Sequence, residues 1–356
     1  MSLLAALPVS TGSAFVNAST TLTKKGLTMF KMFRMLAVLM LFGVCSSYAS
    51  DNAASVVKQT IKLDDITLHY EFADAQSVAK QPAFTKTINA GFQYYRELFG
   101  GYPRDLQGTA YTDITVRLRH GKHLSGEADP QLLLLTWSDS KMFGIHNWQT
   151  LLLHEIFHLW SAESFRYHDG REHWFNEGFA EFYTFKAATE LGFISARDAL
   201  AIAAVPLGFY HSTAGLGRLS MREAGSTNKL KFDNYFLVYH GGWVAAMVLD
   251  HDIRTRTANQ YSLNDAMRML YQHYPRNKTL YRSEDIVTAL QATSGLDYQL
   301  FFKRYIDGTQ SLPVAGHFDL GKALWDFEFN PAKHDQHANL YLTLGITAVR
   351  ANKGSY

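Results

Sequence analysis

The stretch LLLHEIFHLW, Leu151–Trp160, sets His154 and His158 four residues apart with Glu155 between them. Its seven apolar residues account for a buried helix; two imidazoles and a carboxylate are not needed for packing. Residues four apart share one face of a helix. Both rings can therefore hold one zinc ion while the glutamate takes a proton from water. The chain has 15 histidines, so such a string also arises by chance, and a third donor has to be found.

Catalytic zinc commonly takes three protein ligands and leaves a fourth position for water. The stretch HWFNEGFAEFY supplies Glu177, with eighteen residues between it and His158. The intervening chain is long enough to bring a second helix back beside the first. Trp174, Phe175, Phe179, Phe182 and Tyr183 would wall the site, where an unpaired carboxylate is costly and a metal removes the cost. Glu163 and Glu172 are rivals for the third position, in less apolar surroundings. Glu181, one turn beyond Glu177, is expected to accept the spare ring proton of His154 or His158 and so fix that ring; the alternative is an exposed helical glutamate.

HEIFHLW followed by WFNEGFAEFY resembles the gluzincin metallopeptidases, and among them most of all the glycyl aminopeptidase family M61. YHGGWVAAMVLDHDIR, SLNDAMRMLY and TSGLDYQLFFKRYIDGTQSLP resemble further segments of that family, so the likeness runs from about Phe84 to Pro313. The resemblance implies a thermolysin-like catalytic domain, one Zn2+ on His154, His158 and Glu177, Glu155 as general base, and Tyr239 as donor to the oxyanion. Read from the residues alone, Tyr239 is one of 19 tyrosines and equally a packing aromatic. Three departures stand out. Gly241 replaces a lysine of the family; LLLLTWSDSKMFG stands where an amine-recognition motif is expected; and the resemblance implies a compact variant, with the large β-rich N-terminal domain reduced to about one hairpin and no PDZ domain expected. Glu127 and Asp129 of SGEADP are the candidates for a substrate amine.

The elements that must position these groups follow from pattern. IKLDDITLHYEF reads as one or two strands, YTDITVRLRH as another, and QLLLLTWS as a short apolar strand after a turn at SGEADP. Leu132–Thr136 is the candidate to pair with an extended substrate. Helices are expected at FTKTINAGFQYYRELFGGYP, stopped by Gly100, and at NWQTLLLHEIFHLW, capped by Asn147. Past Gly178 the pattern is mostly helical, with starts or stops at Ser262, Gly295 and Gly308. The expected fold is α+β: a small αβ N-terminal portion and a mainly helical C-terminal portion. The expected organisation is a signal peptide over 1–49, a short β-containing segment over 50–83, a gluzincin-like domain over 84–310, and an extension over 311–356 with one or two strands.

Composition narrows the class. Hydrophobic residues make up 47% and charged residues 19%, as in ordinary globular chains. A formal charge of +2 and scattered basic residues argue against nucleic acid. Lys31 and Arg34, an apolar run over 35–44, and Ser47 and Ala49 before Ser50 form a secretory signal. The start of that signal is placed at Met29, Met32 or Met35, and its apolar run is too short for a stable membrane span. Export to the bacterial periplasm or beyond is expected. Cys45, the only cysteine, falls inside the signal. The expected function is zinc-dependent hydrolysis of a peptide or protein substrate, endo- or aminopeptidase unresolved. The alternative is a non-catalytic metal- or peptide-binding protein on a degenerate peptidase scaffold. Oligomeric state is not set by the sequence.

Overall fold

The computed structural model describes residues 56–142 and 145–314. The signal over 1–49 and nearly all of the 311–356 extension lie outside the described residues.

Five strands form one sheet in the order β1-β2-β3-β5-β4. They are β1 (Val57–Lys62), β2 (Thr67–Phe72), β3 (Asp113–His120), β4 (Ser125–Asp129) and β5 (Leu132–Trp137). The hairpins β1/β2 and β4/β5 are antiparallel, while β2/β3 and β3/β5 are parallel. Alternation makes the sheet one-sided: Leu68, Tyr70, Phe72, Ile114, Val116, Leu118, Leu133, Leu135 and Trp137 are all buried.

Two expectations change here. SGEADP is not merely a turn, since Ser125–Asp129 is a strand. Leu132–Thr136 is not available to a substrate either, because β5 is hydrogen-bonded between β3 and β4. The edges are β1 and β4, and β4 is the one that lies against the histidine helix. The stretch QLLLLTWS reads as the more attractive strand, but its apolar character reflects burial in mid-sheet.

Against the buried face lie α1 (Ala75–Ala79), α2 (Gln81–Phe99) and α3 (Trp148–Ser161). Helix α2 stops at Gly100, whose φ of 72° is left-handed and suits glycine. Asn147 caps α3, accepting from the backbone of Gln149 at 2.9 Å and Thr150 at 3.0 Å. The helical part continues with α4 (His173–Glu190), α5 (Ala196–Ser212), α6 (Met221–Gly225), α7 (Asn228–Asp233), α8 (Gly241–Arg256), α9 (Leu263–His273) and α10 (Ser283–Ser294). Ser262 and Asp265 form the expected capping box of α9. The last helical stretch ends at Ile306, two residues short of Gly308.

One close approach decides the site. Helices α4 and α8 touch backbone to backbone at Gly178 and Gly242: a Cβ on either would collide with the main chain of the other helix. Gly178 follows Glu177, and Gly242 comes three residues after Tyr239. The absence of two side chains thus lets the tyrosine turn draw up to the glutamate helix. No helix among the described residues is long and apolar enough to cross a membrane.

Candidate metal centre

Helix α3 is buried on nearly every side, including His154, Glu155 and His158. The two Nε2 atoms lie 3.0 Å apart. Glu177 Oε2, from α4, is 3.7 Å from the first and 3.5 Å from the second. Donors set around one zinc ion at about 2.0–2.1 Å and tetrahedral angles stand roughly 3.3 Å apart. The triangle therefore fits zinc without rearrangement, and the donor set of two imidazoles and one carboxylate is a zinc set. Among the described residues these three form the one group able to hold a metal ion.

The rivals are accounted for. Glu163 pairs with Arg276 and Arg166. Glu172 pairs with Arg222 at 2.9 Å. Neither carboxylate joins the imidazoles.

The three carboxylates at the site differ in environment. Glu155 is buried, and burial raises its pKa; His154 and His158 partly offset this, while Glu177 and Glu127 add to it. It is thus disposed to hold a proton, as a general base must during turnover. Burial would also raise Glu177, but the adjacent rings of His154 and His158 and the charge of Lys231 outweigh it, so its pKa falls well below the usual range. Glu181 divides its oxygens. Oε2 meets His146 Nε2 at 2.8 Å, and Oε1 lies 3.7 Å from His154 Nδ1. Burial is outweighed by His146 and its neighbours, and the pKa of Glu181 falls to about 2. His158 Nδ1 lies 3.2 Å from Ser161 Oγ.

Tyr239 sits in a π-helical turn, Phe236–His240, that leads into α8. Such turns widen the helix by one residue and recur where a side chain must be re-aimed. Its ring stacks on Tyr235 at 4.0 Å. Burial lifts the pKa of Tyr239, and Glu177, Tyr235, Glu181 and Glu155 lift it further, so the phenol stays neutral and keeps its proton to donate. Tyr235 is similarly held neutral by burial, with Glu181 and Glu177 adding. A Cβ on Gly241 would meet Tyr210 and Met221 rather than any zinc donor, so a side chain starting there heads away from the ligands.

Strand β4 closes the other side. An ideal Cβ on Gly126 would stand 2.5 Å from Glu155 Oε1, so the edge strand can lie over the carboxylate only as glycine. Gly126 and Ala128 share the helix-facing side of the sheet with Leu135 and Leu133, their register partners. Glu127 and Asp129 face the opposite side and are exposed. Of the two, Glu127 is the one whose charge is felt at Glu155, while Asp129 acts on Glu163.

Three nearby residues carry no sequence signal: His146, Tyr235 and Lys231. The first precedes a helix cap, and the other two belong to segments whose helices are too short to show a period.

No family model matches the chain, and no curated protein matches it. Solved structures do. An aminopeptidase N family protein from Idiomarina loihiensis aligns at 16% identity with a TM-score of 0.60, over 77% of this chain and 49% of its own. The M1 zinc metallopeptidase of Deinococcus radiodurans, as a mutant bound to a Tyr-Ser-Ala substrate, aligns at 14% with a TM-score of 0.52, over 73% and 53%. Without that ligand the Deinococcus enzyme gives 15% and 0.52. The chain spans about half the length of these proteins, and it shares their α+β, gluzincin-like fold.

Proposed function

We propose that the protein is a zinc metallopeptidase whose water is activated by Glu155. The observation that carries this reading is the triangle of His154, His158 and Glu177 with a buried carboxylate beside it that ligates nothing. A site meant only to hold zinc has no use for Glu155, which disfavours the binding-protein alternative. Solved proteins of this fold include zinc peptidases, in keeping with the reading.

Zinc held on the three donors would supply Lewis acidity and a more acidic water. Glu155 takes the proton from the attacking water and returns it to the leaving amine. Tyr239 donates to the oxygen on which charge develops. Glu181, tied to His146, orients the His154 ring. The exposed edge of β4 pairs with the extended peptide backbone, and Gly126 lets that backbone pass close to Glu155. Of the two candidates for a substrate amine only Glu127 is felt electrostatically at Glu155; both side chains leave β4 on the face away from the helices, so an aminopeptidase would need the amine to lie round the strand edge. The nearer kinship to M61, the organisation of the chain outside 84–310, and export through the signal over 1–49 belong to the same proposal.

The test is zinc content together with hydrolysis of a mixed peptide library, with Glu155→Gln alongside. One zinc per chain and cleavage lost only in the variant is the expected result. Bound zinc with no cleavage by either protein would leave the binding role instead.

A further inference from the structure

Glu177 shares its carboxylate between two partners. Oε2 faces the imidazoles, and Oε1 lies 3.6 Å from Lys231 Nζ. Lys231 comes from α7, a six-residue helix capped by Thr227. Its side chain is only 11% exposed. Nζ stands 5.1 Å from the Phe232 ring and 6.0 Å from that of Tyr239. It forms no other ion pair among the described residues, and its contact with Glu177 is longer than a hydrogen bond.

An ammonium carries three donors and a tightly held hydration shell, so enclosure between aromatic rings is costly without a close anion. In the metal-free protein Glu177 is that anion. Once Glu177 gives its charge to zinc, Lys231 shares it with a divalent ion and is left short of negative charge. Among the described residues no other acid pairs with it. His173 donates from Nδ1 to Gly225 O at 2.9 Å, which leaves Nε2 to accept from Tyr167 Oη at 3.1 Å. Burial, and then Lys231 itself, lower the His173 pKa, so the ring is neutral. The site is therefore polarised: Glu155 lies under β4, and an under-compensated ammonium lies at the Glu177 side next to Tyr239.

We infer that Lys231 is a specificity residue that takes a carboxylate of the substrate adjoining the scissile bond. The inference rests on the peptidase reading and names the substrate class: peptides with an anion beside the cleaved bond. A free α-carboxylate, as in a dipeptide, and an acidic side chain both offer that chemistry.

Three peptides separate the sources: a dipeptide with a free carboxylate, its C-terminal amide, and an amide with glutamate next to the bond. Each is assayed for kcat/KM with zinc-loaded wild type, Lys231→Met and Lys231→Arg, after zinc content has been measured. Their binding is measured in parallel by calorimetry in a Glu155→Gln background, with and without Lys231→Met. The expected result is a preference of about 10-fold for one anionic peptide over the neutral amide, the size of one charge-assisted hydrogen bond. Lys231→Met should abolish the preference with zinc content unchanged, and Lys231→Arg should restore part of it. Whichever anionic peptide wins identifies the source. An equal loss on all three peptides would reduce Lys231 to a partner of Glu177 and overturn the inference, as would a wild type indifferent to the anion, while cleavage itself still stood. If no peptide is cleaved, the peptidase reading fails, and a Lys231-dependent preference in the calorimetry then decides the inference separately.

Discussion

Glu172 and Glu177 lie five residues apart in the chain and are both largely enclosed, yet they meet different partners. Glu172 faces a guanidinium: Arg222 Nη2 is 2.9 Å away, and the other arm of the same arginine reaches Asp307 at 2.8 Å. Glu163 is closed in the same way by Arg276 and Arg166. Glu177 meets ring nitrogens that can lose their protons, and a lysine at a loose distance. A guanidinium is permanently charged and does not give up its proton, so those pairs have no place for a metal ion. Imidazoles can turn from donors into ligands, so the Glu177 cluster can exchange a proton for an ion. Burial is common to both regions; the chemistry of the partner separates structure from site.

The sharpest test of that separation is Glu155→Gln. Turnover should fall by roughly 10²- to 10⁴-fold, since a positioned base contributes about that much. Zinc stoichiometry should stay the same, because Glu155 is not a ligand. Loss of zinc in this variant would place Glu155 in the metal's coordination and undo the assignment. Arg222→Met probes the other region. It leaves Glu172 buried without its guanidinium, a loss of about 3 kcal/mol, or two orders of magnitude in the folded-to-unfolded ratio. The figure sits at the low end because the Arg222 side chain keeps 20% of its surface. Denaturant melts give the loss, and zinc affinity per folded molecule should not move.

The histidine helix and its partner were legible because their signals are local. His154, Glu155 and His158 are fixed by the helical repeat, and Glu177 by an apolar helical setting that its rivals Glu163 and Glu172 lack. The caps at Asn147 and Ser262 were equally plain. Glu181 is expected to take the spare proton of His154 or His158; its Oε1 stays 3.7 Å from His154 Nδ1, and its Oε2 meets His146, from a loop with no periodicity. The edge strand was misread because SGEAD has the composition of a turn, and β propensity depends on sheet position more than on residue type. Lys231 was invisible: α7 is too short to show amphipathicity, and its ammonium reaches Glu177 only through tertiary packing. The role of Gly178 and Gly242 needs two helices in contact, which no single segment encodes.

Two smaller effects refine the site side of the comparison. Glu181→Gln should weaken zinc binding about 10-fold, as loss of an orienting carboxylate does, with the fold retained. Competition with a chelator measures it, and an unchanged affinity would return Glu181 to a packing role. Gly126→Ala adds a Cβ against Glu155 Oε1 at 2.5 Å and must displace that carboxylate. Turnover should drop on the order of 10-fold from misplacement of the base, with zinc retained. An unaffected rate would show that Glu155 works from another rotamer.

The mildest effect is a pH slope, and it tests whether the site trades protons for metal. Burial alone would lower the pKa of His154, but the hydrogen bond to Glu177 and the charges of Glu181, Glu155 and Glu177 outweigh it and raise it to about 9. The folded value lies above the unfolded value of about 6.5, so the protonated ring favours the metal-free fold fully below that pH. That contribution fades as pH rises towards 9. Zinc takes the neutral ring and must expel the proton. Its affinity should therefore climb by up to about 10-fold per pH unit from 6.5 to 9 and flatten above, from this one proton. Glu177 and Glu181 are ionised throughout that window and add no slope. Metal-free melts should show stability declining over the same range, and saturating zinc should remove the decline. A flat affinity from pH 6.5 to 9 would mean that burial wins over the carboxylates, and His154 would then be a neutral ligand waiting in place, with nothing to exchange.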